Sequence, residues 1–445
     1  MSPSAFKRAI CSATRILLSL SFASVAALLV SGCSDEPASK RRGDKFSMYD
    51  AGENQYESSR GAPIKHYLKT GTPIEIAVVW NSALKGTNFW EGADLAVEEI
   101  NSIEAASFPK LKINRVDSAP YLAKAGLAHM ADGRFRNASQ VAAAGLAEDV
   151  LANHNNVAVV GHAFGENTAT SALLKYERQG LLFLSSATVD KRFASLGSPL
   201  AFSLFPSLDQ IADRSAAFGE VSGITHAIII HQLGGTDLDP IPAFRKQMAA
   251  YGINRVDVVS FKSSKDDTNT VAKLTEELAV KMREAGPHVG LILLVEHTLA
   301  GLIFEQLSVL KLTPPMLAAS RVDVSKAEMH DMYPGFTFLD VYSTDRSFLA
   351  QKFGKSFKIR YPDLDPTHYA ALAYDHIRLL YQALLCADTV DPGSVALTMR
   401  YNLPKWYGAT GAYDLFQAYS NQAQNLIFRQ LAERKGKFVV VTLDF

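Results

Sequence analysis

The chain has 445 residues, carries 45 Lys and Arg against 45 Asp and Glu, and is 48% hydrophobic. A formal net charge of zero provides no basic surface for nucleic acid, and the apolar content excludes a disordered chain. Because single hydrophobic cores stop growing at roughly 250–300 residues, this length predicts two lobes.

The N-terminal segment has the pattern of an export signal. Basic residues accompany an apolar run, Ile16–Val30, which is too short to cross a bilayer about 30 Å thick as a helix. The run ends in Val30-Ser31-Gly32-Cys33, which resembles the bacterial lipobox, whose cysteine becomes the acylated first residue of the mature protein. The resemblance implies a signal peptide over 1–33 and lipidation of Cys33. An ordinary cleaved signal with an incidental cysteine is the alternative.

Residues 34–72 are polar and charged and have no periodic apolar face. They predict a flexible tether, with the globular part beginning near Ile74. Ser34 follows Cys33 where inner-membrane lipoproteins have Asp, which in a double-membrane bacterium resembles proteins forwarded to the outer membrane.

Short apolar runs then alternate with longer amphipathic stretches. Ile74–Trp80 predicts a strand, and Phe89–Ile103 predicts a helix whose apolar residues recur at spacings of three and four. Further strands are predicted at 157–161, 181–184, 201–204, 227–231, 256–261, 289–295, 425–430 and 437–443, and helices at 168–179 and from Asp209. No helix is predicted after 256–261. Near-continuous apolar strands suit a parallel sheet covered on both faces, so the predicted fold class is α/β, doubly wound.

The chain is expected to cross between two lobes three times, near Phe205, Asp340 and Gly411, where strand-like segments change character. Lobe 1 is predicted to comprise 73–205 and 340–411, and lobe 2 to comprise 206–339 and 412–445. Three crossings predict a three-segment hinge between two parallel-sheet lobes.

Four ordered segments resemble the type I periplasmic binding proteins of the leucine/isoleucine/valine-binding kind. Trp90–Asn101 resembles the family's "G-A-x-x-A-V-x-x-I-N" helix, and Val159–Thr188 its strand, two ligand loops and intervening helix. His368–Asp375 resembles the family's "A-x-x-A-Y-D" helix. The family's C-terminal ending is resembled by Gly408–Gly411 together with 435–441. The resemblance implies a small ligand, often an amino acid, bound between the lobes and in many members delivered to an ABC transporter.

The resemblance places ligand contacts in three loops of lobe 1. Asn81 and Ser82 follow the first strand in a loop shorter than the family's, and Trp90 either floors the pocket or belongs to the core. His162 and Asn167 lie in the second loop.

Ser186 and Thr188 in the third loop keep the family's character best; alternatively they cap the next helix. In lobe 2, Glu296 and Arg321 follow predicted strands. Amino-acid binders usually hold the ligand ammonium with an acid near the position of Arg321. A guanidinium there favours an acid or phosphate instead, unless Glu296, or Asp323 two positions out of register, supplies the carboxylate.

The sequence has no G-x-S-x-G, H-E-x-x-H, Walker A, G-x-G-x-x-G or paired C-x-x-C motif, so we expect no catalysis, no cofactor and no metal. The prediction is a lipid-anchored solute-binding protein of the bacterial envelope, facing the periplasm, that binds a small polar ligand for an ABC permease or a sensor. The alternative is an envelope lipoprotein that uses the same fold to bind a protein partner, with a degenerate ligand cleft.

Overall fold

A computed structural model describes residues 61–443 except 104–107, 125–137, 164–167, 190–192, 194–195, 234–238, 263–267, 296, 320–334, 404 and 435–436. The chain divides into two compact units. Unit 1 extends to Phe205 and resumes over Lys352–Ala423. Unit 2 comprises Pro206–Gln351 and the segment from Gln424 onward. The signal peptide, Cys33 and most of the expected tether lie outside the described residues.

Strands and helices alternate through most of the described chain. The elements in chain order are α1 (Ile64–Thr70), β1 (Ile74–Trp80), α2 (Phe89–Asn101), β2 (Leu111–Asp117), α3 (Ala138–Ala152), β3 (Asn156–Gly161), α4 (Thr168–Arg178), β4 (Leu182–Ser185), β5 (Ala201–Ser203), α5 (Leu208–Val221), β6 (His226–Gln232), α6 (Ile241–Ala250), β7 (Arg255–Phe261), α7 (Thr268–Ala285), β8 (Val289–Leu294), α8 (His297–Val309), β9 (Met316–Ala318), β10 (Thr337–Asp340), α9 (Phe348–Arg360), α10 (His368–Ala387), α11 (Pro392–Leu397), a π-helical turn (Thr398–Asn402), β11 (Lys405–Gly408), β12 (Gly411–Asp414), β13 (Ile427–Arg434) and β14 (Lys437–Leu443). None of the helices in the described ranges is long and apolar enough to cross a membrane.

Unit 1 is built on a five-stranded sheet in the order β2-β1-β3-β4-β5, with every neighbouring pair parallel. Successive side chains of β1 point to opposite faces of the sheet. Ala77 and Val79 belong to a core that also contains Leu146 of α3 and Leu173 of α4. α2 and α10 pack closely against each other, and α10 also contacts β3. β1, β3, β4 and β5 are therefore buried, as their continuous apolar runs predicted, whereas most residues of the edge strand β2 are partly buried or exposed.

Unit 2 contains a seven-stranded sheet in the order β14-β13-β10-β9-β8-β6-β7. The strands from β10 to β7 are parallel, whereas β13 and β14 are antiparallel additions at one edge. Its core combines β6 and β8 with α7 and α8. Together the two units confirm the predicted α/β class with parallel sheets.

The structure differs from the expected tether at its C-terminal end, because α1 lies within the stretch predicted to be flexible. Ile64 and Tyr67 are 1% and 6% exposed. The Ile64 N–H donates to the Asp388 carbonyl at 3.1 Å, and the Val390 N–H donates to the Ala62 carbonyl at 3.0 Å. Residues 62–70 are thus anchored to the segment after α10, so the folded part of unit 1 includes residues before the expected residue 73.

We expect Tyr67→Ala to destabilise unit 1 by about 3 kcal/mol, since it empties the site of a buried aromatic ring. Tyr407→Ala is the matched control: that ring is 57% exposed, and its loss should change stability by about 0.5 kcal/mol or less. Urea unfolding followed by tryptophan fluorescence measures both, because Trp80, Trp90 and Trp406 all belong to unit 1. Equal stability of Tyr67→Ala and wild type would mean that α1 is not docked.

Two of the three boundaries between the units lie further along the chain than expected. The first falls after Phe205 as anticipated, but the others fall after Gln351 and Ala423. β10 pairs with β9 and β13, and Arg346 donates to the Asn425 carbonyl at 2.7 Å, which keeps this stretch with unit 2.

A helix also follows β7 where none was predicted. α7 spans Thr268–Ala285, and the described interior of the helix buries Val271, Leu274, Leu278 and Met282. These residues recur at spacings of three and four, so the periodicity was present in the sequence and was missed.

Candidate functional site

Three predicted ligand loops lie side by side at one edge of the unit 1 sheet. β1, β3 and β4 are neighbouring parallel strands, so the loops that follow them share the carboxyl edge. The His162 N–H donates to the Val79 carbonyl, and the Ser186 N–H donates to the Gly161 carbonyl, both at 2.9 Å. Backbone hydrogen bonds therefore connect the loops after β3 and β4 each to the neighbouring strand. This edge is the candidate site.

The loop after β1 is tied to β2. The Ser82 hydroxyl and N–H donate to the Asp117 carboxylate at 2.6 and 3.0 Å, and the Asn81 side-chain carbonyl accepts from the Ala83 N–H at 2.8 Å. Partial burial acts to raise the pKa of Asp117, but the hydrogen bonds from Ser82 and Ala119 together with the Lys85 charge outweigh it, so this pKa lies below its usual value. Asp117 is therefore a carboxylate at neutral pH, and it places a negative charge beside this loop.

Trp90 lies on α2, one helix residue after Phe89, and is partly buried. Its indole N–H donates to the Val78 carbonyl at 3.2 Å, and the Arg115 guanidinium lies 5.7 Å from its ring centroid. Val78 precedes the end of β1 by two residues, which favours the packing interpretation of Trp90 over a pocket floor.

The loop after β3 turns sharply. Gly161 has φ 122° and His162 has φ 63°, a left-handed conformation that non-glycine residues rarely adopt. His162 is buried, and its Nε2 lies 3.0 Å from the Tyr176 hydroxyl of α4. Burial lowers the pKa of His162 to about 3, so the ring is uncharged at neutral pH. Asn167 of the same loop lies outside the described residues.

The loop after β4 contains Ser186 and Thr188. Ser186 is fully buried, and its Oγ lies 2.7 Å from Nδ1 of His376. Thr188 is only partly buried, and its carbonyl accepts from the Ser203 hydroxyl at 3.2 Å. Of the two residues, Thr188 is therefore the better placed to meet a ligand.

His376 and Asp375 of α10 are site-supporting residues that the sequence analysis did not select. Asp375 accepts hydrogen bonds from the Ala409 N–H at 2.7 Å, the Thr410 N–H at 2.8 Å and the Thr410 hydroxyl at 2.7 Å. It thereby joins α10 to the turn between β11 and β12. Both segments were noted for their family resemblance, but nothing in their spacing indicated that they bind each other.

Glu296 after β8 and Arg321 after β9 both lie outside the described residues, so their predicted roles stay predictions. Within the described ranges, no group of three or more His, Cys, Asp or Glu residues could hold a metal ion.

The sequence profile of the family described as "Periplasmic binding protein" matches residues 137–437. No curated protein matches the sequence.

Solved structures share the fold at low identity. The ABC transporter substrate-binding protein from Desulfitobacterium hafniense, in complex with Leu, is 22% identical over 83% of this chain and 100% of that one, with a TM-score of 0.64. The leucine-binding protein LivK from Thermotoga maritima is 16% identical over 83% and 98%, with a TM-score of 0.63. An ABC transporter solute-binding protein from R. palustris, in complex with 4-hydroxybenzoate, is 16% identical over 84% and 96%, with a TM-score of 0.64.

Proposed function

Because the chain belongs to the periplasmic binding protein family, we propose that it is an extracytoplasmic solute-binding protein for an ABC uptake system or a related sensor. Its ligand is a small polar molecule, an amino acid or a related organic acid or amide. Structural relatives that hold Leu and 4-hydroxybenzoate support this range of ligands.

The observation that carries the proposal is the juxtaposition of the loops 162–163 and 186–188 at the carboxyl edge of the sheet. Such an edge presents backbone N–H groups and hydroxyls, which suit a carboxylate. Burial lowers the pKa values of both His162 and His376 to about 3, so neither ring is an imidazolium at neutral pH. An acidic ligand would accordingly be held in unit 1 by hydrogen-bond donors such as the Thr188 hydroxyl.

We expect the purified protein to be stabilised by at least one member of a panel comprising L-leucine, L-glutamate, benzoate, 4-hydroxybenzoate and acetamide. A thermal-shift scan measures this, because a ligand at a hundredfold excess over its Kd stabilises by about 2.7 kcal/mol. Thr188→Val should weaken binding of the active compound roughly tenfold to hundredfold, since a hydrogen bond to a charged group contributes about 1.5–3 kcal/mol.

Thr389→Val is the matched control for Thr188→Val. It also removes a hydroxyl, but one that donates to the Ala62 carbonyl in the segment preceding α1. The Thr389→Val protein should bind the active compound with the same affinity as wild type. No stabilisation by any compound of the panel would argue against solute binding.

One observation favours the alternative of a protein-binding envelope lipoprotein with a degenerate cleft. The Ser82 hydroxyl, the His162 ring and the Ser186 hydroxyl, all predicted ligand contacts, hydrogen bond to other residues of unit 1. Two results together would support that alternative. No compound of the panel would raise the melting temperature, and a protein partner would co-purify in stoichiometric amount from detergent-solubilised membranes.

We also propose that the protein is anchored through acylated Cys33 in the bacterial envelope, facing the periplasm, with Ser34 favouring the outer membrane. Cys33→Ser should move the protein from the salt-washed membrane pellet to the soluble fraction, as immunoblotting of the fractions would measure. Cys11→Ser, which alters a cysteine before the lipobox, is the control and should stay in the pellet. Retention of Cys33→Ser in the pellet would contradict the lipid anchor.

A further inference from the structure

His376 lies buried in α10 next to the loop 186–188. We propose that His376 is a positioning residue, which fixes this loop through its hydrogen bond to Ser186 and thereby holds Thr188 in the orientation that binds an organic acid or amino acid. The proposal deepens the solute-binding function and rests on it.

Ser186 is held by two different elements. Its N–H donates to the Gly161 carbonyl at the end of β3, and its Oγ lies 2.7 Å from Nδ1 of His376. One contact belongs to the sheet and the other to a helix packed beside it. Two residues later, the Thr188 carbonyl accepts from Ser203 at the end of β5. The loop thus has a fixed point at each end: a side-chain hydroxyl holds the Thr188 carbonyl, whereas Ser186 is held by a backbone bond and by the His376 ring.

The His376 ring is itself supported by the β11–β12 hairpin. Its ring packs edge-to-face against Tyr413, with centroids 5.5 Å apart. Asp375, the preceding residue of α10, binds Ala409 and Thr410 at the turn of that hairpin. The hairpin therefore fixes both the rotation of α10 and the plane of the imidazole. These contacts place Nδ1 opposite Ser186.

Either neutral tautomer of His376 preserves this contact. If the Ser186 hydroxyl donates, Nδ1 accepts; if Nδ1 carries the hydrogen, Oγ accepts. The position of the loop is then independent of which ring nitrogen is protonated. The surrounding burial favours the neutral form, because a charged imidazolium would lose its hydration there.

Stability alone does not explain the Ser186–His376 pair. His376 is 0% exposed, and its Nε2 has no hydrogen-bond partner among the described atoms. A buried ring with one unsatisfied nitrogen is less favourable than an apolar side chain that fills the same space. What the imidazole supplies, and an apolar residue cannot, is a directional bond to the loop. This is the reason to assign it a positioning role.

The test compares His376→Leu and Ser186→Ala, which remove the bond, with His376→Asn, whose amide can occupy the place of Nδ1. Tyr381→Phe is the matched control, because its hydroxyl also lies buried on α10 but donates to the Pro109 carbonyl before β2, at 2.9 Å. For each full-length variant we would measure affinity for L-leucine and 4-hydroxybenzoate, urea stability, and amide hydrogen exchange at residues 185–188.

We expect His376→Leu and Ser186→Ala to weaken binding of the bound probe at least fivefold and to speed exchange at residues 185–188 at least tenfold beyond any change in Tyr381→Phe. His376→Asn should bind within about twofold of wild type. The double variant Ser186→Ala/His376→Leu should bind no more weakly than the weaker single variant, since both changes remove the same bond.

Exchange and affinity unchanged relative to Tyr381→Phe would overturn the positioning role. If His376→Leu fails to fold, the affinity and exchange of Ser186→Ala alone test the positioning role. If wild type binds neither probe, the solute-binding function fails for these ligands, and the exchange data still decide whether His376 fixes the loop.

Discussion

Gly92→Ala should destabilise unit 1 by about 3 kcal/mol or more, which is among the largest effects we expect from a single methyl group. Gly92 lies on α2 where it crosses α10. A Cβ at this position would lie 2.0 Å from the Ala370 carbonyl oxygen and 2.6 Å from its carbon. Because these are backbone atoms of a helix, no side-chain rotation can relieve the overlap. The two helices must separate, and their buried surface is lost.

Gly145→Ala is the matched control for Gly92→Ala. It makes the same change within α3, where the new Cβ would meet only the Tyr121 ring, at 3.0 Å. That ring can shift, and alanine favours a helix by about 1 kcal/mol over glycine, so we expect a change within about 1 kcal/mol. Urea unfolding followed by tryptophan fluorescence measures both variants. Similar stabilities of the two would show that α2 and α10 are not in close contact at Gly92.

Asp375→Asn should destabilise unit 1 by about 2–4 kcal/mol at neutral pH, since the new amide N–H₂ replaces one acceptor oxygen that faces the donors of Ala409 and Thr410. Thr410→Ser is the control and should destabilise less, because it keeps the hydroxyl that donates to Asp375. The size of the effect should also depend on pH, since only the carboxyl titrates.

Burial raises the pKa of Asp375 from 3.8 to about 6, against the opposing effect of hydrogen bonds from Thr410 and Ala409. Between these values the folded chain binds the proton more tightly than the unfolded chain does. The stabilisation from protonation is therefore complete below about pH 4 and is lost as pH rises through about 6.

The stability gap between wild type and Asp375→Asn should accordingly shrink by about 3 kcal/mol from pH 4 to pH 7, because one pKa unit corresponds to about 1.4 kcal/mol. Urea unfolding at several pH values measures the gap. A gap that is constant with pH would mean that Asp375 does not titrate in this range when folded.

The strands that the sequence predicted best are those with continuous apolar runs. Ile74–Trp80 and the segment 437–443 are strands with the predicted bounds. The run in Ile74–Trp80 reflects burial on both faces of the sheet, whereas residues 439–443 are only partly buried in an antiparallel edge strand. The docking of α1 was not predicted, because its two buried residues, Ile64 and Tyr67, are too few to form a recognisable apolar periodicity, and its backbone hydrogen bonds go to the distant segment around Asp388.

At the candidate site, the sequence located the loops but not the partners of their side chains. Parallel strands bring their carboxyl ends together, so loops after neighbouring strands could be expected at one edge. Ser186, however, binds a histidine 190 residues away, and Ser82 binds an aspartate on the adjacent strand. Neither pairing leaves a signal at fixed sequence spacing.

By itself, the sequence determined the α/β class and the family, since hydrophobic periodicity and ordered motifs are carried along the chain. It also predicted a lipid anchor at Cys33, which the fractionation of Cys33→Ser would test. Only the tertiary structure decided which polar groups at the candidate site are already satisfied. Hydrogen bonds form between groups that packing brings within about 3 Å, and strand order and helix crossings set those distances. In this way the Ser186 hydroxyl pairs with His376 in the buried interior, whereas Thr188, two residues further on, is only partly buried.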